Sequence, residues 1–167
     1  MSTWVVALLN DQHNLADFSS GQPILDDWLR RSALRAQTQD ITRTYVWTAP
    51  NDDKVVAFYS LQPHHVVAES VSRGIAGGHA NVTGYLLAKL ALDSTLHGQG
   101  LGGQLLRDAL EIILAGSRLS GGRVVVVDPI DEAVDAFYRH FGFTSANASS
   151  SRLIMKVATL RAHLTCP

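Results

Sequence analysis

The sequence predicts an α/β (α+β) domain: a mixed, mostly antiparallel twisted sheet of about six or seven strands, flanked by helices. Three observations predict it. Two stretches rich in β-branched and aromatic residues, 42–49 and 55–62, are separated by the polar turn PNDDK and read as a hairpin. An apolar run at 85–93 leads into a turn holding Gly98, Gly100, Gly102 and Gly103, and a helical apolar stripe follows it. The strongly apolar RVVVVD at 123–128 then precedes a second, shorter helical pattern.

Taken in order, WVVALL at 4–9 reads as a first strand. DFSSGQP punctuates the chain, and Pro23 suits the first turn of a helix, where its missing N–H is not needed. Leu25, Trp28, Leu29, Ser32, Ala33 and Ala36 follow at roughly helical spacing, with Arg30, Arg31 and Arg35 on other parts of that surface. After the hairpin, 69–83 is rich in Gly, Ser and Ala and reads as a loop or a short helix. The run at 85–93 reads as a buried central strand, although its Leu and Ala content would also suit a helix. Leu101, Leu105, Leu106, Ala109, Leu110 and Ile113 form the stripe of a long helix that Gly121 and Gly122 end. Residues 131–140 read as a short helix with Ala133, Val134 and Phe137 inward, and FGFTSA and SRLIMKVA close the chain as two strands around a Ser-rich turn. No repeat or linker divides 1–167, so a single domain is expected.

Composition sets the class. The chain is 46% hydrophobic and 17% charged, ordinary values for a globular protein. No apolar run approaches the roughly 20 residues that span a bilayer, and the N-terminus shows no secretory pattern. A cytoplasmic protein is expected. Its one cysteine, Cys166, cannot form an internal disulfide and has no His/Cys cluster to complete a zinc site, so no metal is expected. His64, His65, His79 and His140 are scattered at spacings that fit no standard ligand set. His64 and His65 suit either an acceptor site or plain surface. The net charge of −1 gives no global sign of nucleic-acid binding. Eleven of the fourteen basic residues are Arg; the guanidinium fork matches phosphate, but genome composition explains the bias equally well.

The glycine turn carries the chemistry. The first amides of a helix have no internal partner and stand at the positive end of its dipole. Glycines there let a diphosphate approach closely. No GKS or GKT follows, and no acidic ribose partner completes a dinucleotide fingerprint. The order of strand, glycines and amphipathic helix favours anion binding over a plain turn.

In this turn the sequence resembles the GNAT superfamily of N-acetyltransferases, whose central motif is Gln/Arg-x-x-Gly-x-Gly/Ala. His97, Gly100 and Gly102 occupy that frame, with His97 in place of Gln or Arg. DEAVDAFYRHFGF resembles a second motif of the superfamily: Asp131 replaces Asn, Val134 replaces Ala, and Tyr138, Gly142 and Phe143 match. The resemblance implies a GNAT fold, splayed between its two central strands, with acetyl-CoA as co-substrate. It places the cofactor pyrophosphate on the main chain of His97, Gly98, Gln99, Gly100, Leu101, Gly102 and Gly103, and the pantetheine arm beside the backbone of Ala91 and Leu92. Asp131 belongs to the cofactor side, and Tyr138 stands at the position of the general acid that protonates the leaving thiolate. Without the motif, Tyr138 would read as a packed helix aromatic.

The opening segment narrows the resemblance. DFSSGQPILDDWL is similar to the start of TacT/AtaT-type toxins, F-x-C/S-G-x-x-x-L-D-x-W-L. Phe18, Gly21, Leu25, Asp26, Trp28 and Leu29 match, and Ser20 stands where Cys is frequent. KLALDSTLHGQGLGGQLLRDAL resembles the same subgroup, with Lys89 for Arg, while 69–83 departs from it. This implies transfer of acetyl to the α-amine of aminoacyl-tRNA, which blocks translation, a ribbon-helix-helix antitoxin, and a homodimer. An α-amine has a pKa of about 8, lower when its carboxylate is esterified, so no strong base is needed. Arg30, Arg31, Arg35, Arg43, Arg139 and Arg152 are candidates to face tRNA; a solvated surface is the default for each. Two other functions stay open: acetylation of a small-molecule or protein amine, and a non-catalytic acyl-CoA-binding module.

Overall fold

The computed structural model describes residues 3–165, so Cys166 lies outside the described residues. Seven strands join in the order β1-β2-β3-β4-β5-β7-β6. They are β1 Val5–Leu8, β2 Arg43–Thr48, β3 Ala57–Val67, β4 Asn81–Leu92, β5 Val124–Val127, β6 Thr144–Ser145 and β7 Leu153–Lys156. β4 and β5 pair parallel, while β1–β2, β2–β3, β5–β7 and β7–β6 pair antiparallel. The helices are α1 Pro23–Trp28, α2 Leu34–Thr38, α3 Arg73–Ala76, α4 Leu101–Ser120, α5 Glu132–His140 and α6 Val157–Thr165. Among the described residues no helix is long and apolar enough to cross a membrane. The mixed, mostly antiparallel sheet of the sequence reading is therefore present.

The chain forms two compact units, Met1–Gln62 with Ala88–Ala109 and Pro63–Leu87 with Leu110–Pro167; β3, β4 and α4 each run through both. In the first unit, Leu9, Phe18, Leu29, Ala33, Val46, Val55, Phe58 and Ala91 form one apolar cluster, with Leu15, Leu25 and Trp28 against it. Phe58 is its hub, edge-on to Phe18 at 5.6 Å and stacked on Trp28 at 6.2 Å. The expected helix from Pro23 is interrupted by a π-helical turn, Leu29–Ala33, between α1 and α2. Leu29 and Ala33 are nevertheless its most buried positions, as their spacing predicts. The buried Asp26 carboxylate holds the start of α1, accepting from the Ser20 amide at 3.1 Å and the Ser20 hydroxyl at 2.6 Å. Ser20 thus fills its motif position as a hydrogen-bonding hydroxyl.

In the second unit, Val66, Ala76, Val82, Val124, Val126, Ala146 and Ile154 form the cluster. Three strands differ from their sequence reading. β3 runs on past Gln62 through Pro63 to Val67, and β4 starts at Asn81 rather than Tyr85, so both strands are longer than expected. β7 stops at Lys156 and the chain turns directly into α6, where strand was expected to 158. Val157 and Leu160 bury the inner face of that helix, and this two-residue contact is too short a period to see in the sequence.

Parallel pairing of β4 with β5 joins Gly84, Tyr85 and Leu86 to Val124, Val125 and Val126, and β4 continues beyond it to Leu92. Gly84 makes the close approach possible. A Cβ there would overlap the Val124 carbonyl oxygen and lie 2.7 Å from its Cγ2. Backbone cannot swing aside as a side-chain tip can. Gly84→Ala should therefore lower the unfolding free energy by about 1–3 kcal/mol, read from urea unfolding; an unchanged midpoint would show that the strands can separate without cost.

Candidate active site

The glycine turn is built from the end of β4. The carboxylate of Asp93, only 6% exposed, accepts from the Ser19 amide at 3.1 Å, the Thr95 amide at 3.0 Å and the Thr95 hydroxyl at 2.7 Å. Burial raises its pKa, but these bonds and the charge of Lys54 outweigh burial and leave it below the usual carboxylate value. A 3-10 turn, Ser94–Leu96, follows. The imidazole Nε2–H of His97 then donates back to the Leu92 carbonyl at 2.8 Å, and the Gln99 amide reaches the Thr95 carbonyl at 3.4 Å. Both side chains tie the turn to the strand that feeds it, which leaves their main chain as the part that can meet a ligand.

Gly98 and Gly100 adopt φ of +76° and +74°, a left-handed conformation that any Cβ resists. A Cβ built on either would meet no atom within 4 Å, so the space beside the turn is open. Gly102 and Gly103 lie in the first turn of α4, whose 20 residues give the amides of that turn a long dipole behind them. An open cradle of left-handed glycines at the head of a long helix fits a pyrophosphate. Leu105, Leu106 and Ala109 bury the α4 stripe, and the Trp47 indole donates to Asp108 at 2.8 Å. Upstream on β4, Ala91 is buried and Leu92 half-buried.

Tyr138 lies in the second unit, on α5. Its side chain is 6% exposed and sits edge-on to Phe137 at 5.3 Å and to Phe143 at 5.4 Å. Burial pushes its phenol well above the ordinary value, so the hydroxyl keeps its proton throughout the physiological range. Among the described residues no hydrogen bond engages that hydroxyl. Asp131 caps α5, its carboxylate accepting from the Val134 amide at 2.8 Å; this is the same N-cap chemistry an Asn would provide.

The six candidate arginines divide by partner. Arg30 donates to the Phe18 carbonyl at 2.7 Å and lies 3.6 Å from Asp27. Arg43 pairs with Asp40 at 2.8 Å and Arg139 with Asp135 at 2.6 Å. Arg152 forks onto both oxygens of Asp128, at 2.8 and 2.9 Å, and its third nitrogen donates to His64 Nε2 at 2.8 Å. Arg31 and Arg35 stand exposed. Sequence reasoning missed the Asp128–Arg152–His64 network, whose members lie far apart in the chain. It also missed Asp93, although Asp-x-Thr after a strand is an Asx-turn signal, and the Lys89 ammonium 5.2 Å from the centre of the Trp28 ring.

The network makes fold stability pH-dependent. Burial first, then the Arg152 charge, holds the His64 pKa below its ordinary 6.5, with His65 acting the same way and Asp128 opposing. A histidine that binds its proton less readily when folded stabilises the fold fully above about pH 6.5. That contribution is lost as pH falls below it. Urea unfolding free energies should decline from pH 7 to 5.5 and decline less in His64→Gln; identical slopes in the two proteins would remove His64 as the cause.

Residues 42–145 match the family described as acetyltransferase (GNAT) domain. The tRNA-acetylating toxin of Mycobacterium tuberculosis (strain ATCC 25618 / H37Rv) is 34% identical over 155 residues, 92% of each chain. AtaT complexed with acetyl-methionyl-tRNAfMet superposes with a TM-score of 0.88 at 21% identity, over 97% of this chain and 99% of that one. AtaTR bound with AcCoA gives a TM-score of 0.82 at 22% identity, over 99% and 100%. The family match spans the glycine turn and Tyr138 alike, and the mycobacterial likeness covers nearly the whole chain: this protein belongs to the GNAT family of acetyltransferases.

Proposed function

We propose that the protein is the toxin of a toxin–antitoxin pair, a single-domain enzyme that transfers acetyl from acetyl-CoA to the α-amine of aminoacyl-tRNA and so blocks translation. One observation carries the reading. The family match begins at residue 42, whereas likeness to the tRNA-acetylating toxin extends over 92% of the chain and takes in the opening segment with Asp26 and Trp28. In the proposed assembly the protein is a homodimer neutralised by a ribbon-helix-helix antitoxin.

Bound acetyl-CoA would supply an activated acetyl thioester. The main chain of His97, Gly98, Gln99, Gly100, Leu101, Gly102 and Gly103 would hold its pyrophosphate, and the backbone of Ala91 and Leu92 would orient its pantetheine arm. The amine nitrogen forms the new C–N bond as the C–S bond breaks, and the proton it loses balances the one the thiolate gains. Tyr138 serves the sulfur end. A buried phenol with a raised pKa is a weak acid toward bulk water but a firm hydrogen-bond donor to an anion beside it. It donates to the sulfur as negative charge develops there and recovers a proton from the acylated amine. No residue need act as a strong base, since an esterified α-amine is substantially neutral near pH 7.

Tyr138→Phe keeps the ring contacts and should leave acetyl-CoA affinity and melting temperature unchanged while turnover falls about 10²-fold or more; turnover that persists assigns the proton to water. Gly100→Asp places a carboxylate beside the pyrophosphate and should weaken acetyl-CoA more than about tenfold by calorimetry, equivalent to 1.4 kcal/mol. The function itself is tested by mass spectrometry of charged tRNA after incubation with enzyme and acetyl-CoA. Acetyl on the esterified amino acid, and none on uncharged tRNA, is the expected result. Acetylation only of a small amine or a protein lysine would overturn the toxin reading and leave the family standing.

A further inference from the structure

Three adjoining hollows mark the second unit at the N-terminal ends of β4 and β5. One, of about 470 Å³, is lined by His79, Arg123, Lys156 and Arg161 among others. A second, of about 550 Å³, shares His79 with it and adds Arg73. A third, of about 480 Å³, shares Thr83 and Gly122 with the first and adds His64 and His65. Among the described residues no carboxylate lines any of the three. None of Arg73, Arg123, Lys156 or Arg161 forms an ion pair there either. Four of the arginines picked out from the sequence, by contrast, each have an aspartate within ion-pair distance.

Arg123 is held in place. Its Nε donates to the Ile75 carbonyl at 2.7 Å, and its guanidinium lies against Gly77, where φ is +61° and a Cβ would overlap it. The four N–H donors on its two terminal nitrogens are not part of that bond. A single small anion needs one such group. Several cations around hollows that share lining residues, with no carboxylate among that lining, suit a repeating anion instead, and the exposed Asn81 and Thr83 add neutral hydrogen-bonding groups.

We propose that this groove binds the phosphate backbone of a polynucleotide, through Arg73, His79, Arg123, Lys156 and Arg161. The proposal rests on tRNA being the substrate: the groove would hold tRNA phosphates away from the reacting amine, and so set affinity rather than chemistry. Arg, Lys and phosphate oxygens meet here without the cost of first breaking an ion pair.

The test uses the full-length protein, with Arg123→Gln/Lys156→Gln/Arg161→Gln in one variant and Asn81→Glu in a second. The second keeps all three cations, and so keeps the question answerable if replacing Arg123 disturbs the fold. Binding of uncharged tRNA is followed by fluorescence anisotropy between 50 and 300 mM salt, on the order of the range in which counterion release is read. The triple variant should bind roughly tenfold or more weakly. Its slope of log affinity against log salt should fall by about 2, since each phosphate neutralised by the protein adds about 0.7–0.9 to that slope. Asn81→Glu should weaken binding in the same direction. With charged tRNA the variants should raise KM and keep kcat and acetyl-CoA affinity. Unchanged affinity and slope in folded variants would overturn the groove, as would variants that lose only self-association or antitoxin binding. If the native protein binds tRNA through the groove yet acetylates none, the substrate reading fails and the groove stands.

Discussion

Asp93 is the constraint on which the glycine turn depends. It sits where β4 ends, and its carboxylate is almost wholly removed from water. A buried charge is tolerated only when hydrogen bonds replace its hydration, and here three donors do so, one from Ser19 and two from Thr95. Its own amide donates to the Val56 carbonyl, and the next amide, of Ser94, to the Ser19 carbonyl. The end of β4 is thus pinned to β3's approach and to the loop before α1 at once. His97 closes the other side of the turn onto Leu92. The glycines contribute conformational freedom, but freedom alone gives a floppy loop. The carboxylate and imidazole bonds make the turn a fixed cradle.

Tyr138 illustrates the complementary constraint. Its ring is placed by aromatic edges, Phe137 on one side and Phe143 on the other, and Phe143 is itself buried. Gly142 between them takes φ of +101°, which lets the chain reverse directly after α5 and bring Phe143 back onto the ring. The Tyr-x-x-x-Gly-Phe spacing is therefore a folding motif: without the reversal the phenol would have no wall on that side. Burial that raises the phenol pKa also keeps the hydroxyl a donor. The same packing fixes where the group is and which form it takes.

Much of this was legible in the sequence, and the parts that were not share a cause. The α4 stripe, the apolar β5 and the glycine turn are local patterns, and they stand where the periodicity puts them. Gly98 and Gly100 are left-handed, a backbone state the sequence reading did not specify. The extension of β3 through Pro63 was hidden because proline argues against strand. α6 was hidden because no glycine, proline or turn residue marks the change from period 2 to 3.6 in LIMKVATL, where Lys156 is the last residue of the strand. The π-helical turn at Leu29–Ala33 leaves no compositional trace. Partner choice was least legible. Asp128, Arg152 and His64 are separated by 24 and 88 residues along the chain, and only the pairing of β5 with β7 brings the first two together.

Partner choice also explains how a chain of net charge −1 can present a cationic groove. Its acidic residues are largely engaged at fixed places. Asp26 and Asp93 are buried and hydrogen-bonded, Asp131 caps a helix, and Asp40, Asp128 and Asp135 face arginines. A carboxylate paired with an arginine still enters the formal sum, but the pair's field falls off within a few ångströms; Asp26, Asp93 and Asp131 keep their charge, which salt screens beyond about 8 Å. What a polyanion meets is the local balance, and around Arg123, Lys156 and Arg161 that balance has no negative member. Net charge governs solubility and long-range drift. Contact with phosphate is governed by which cations the fold leaves without an acid.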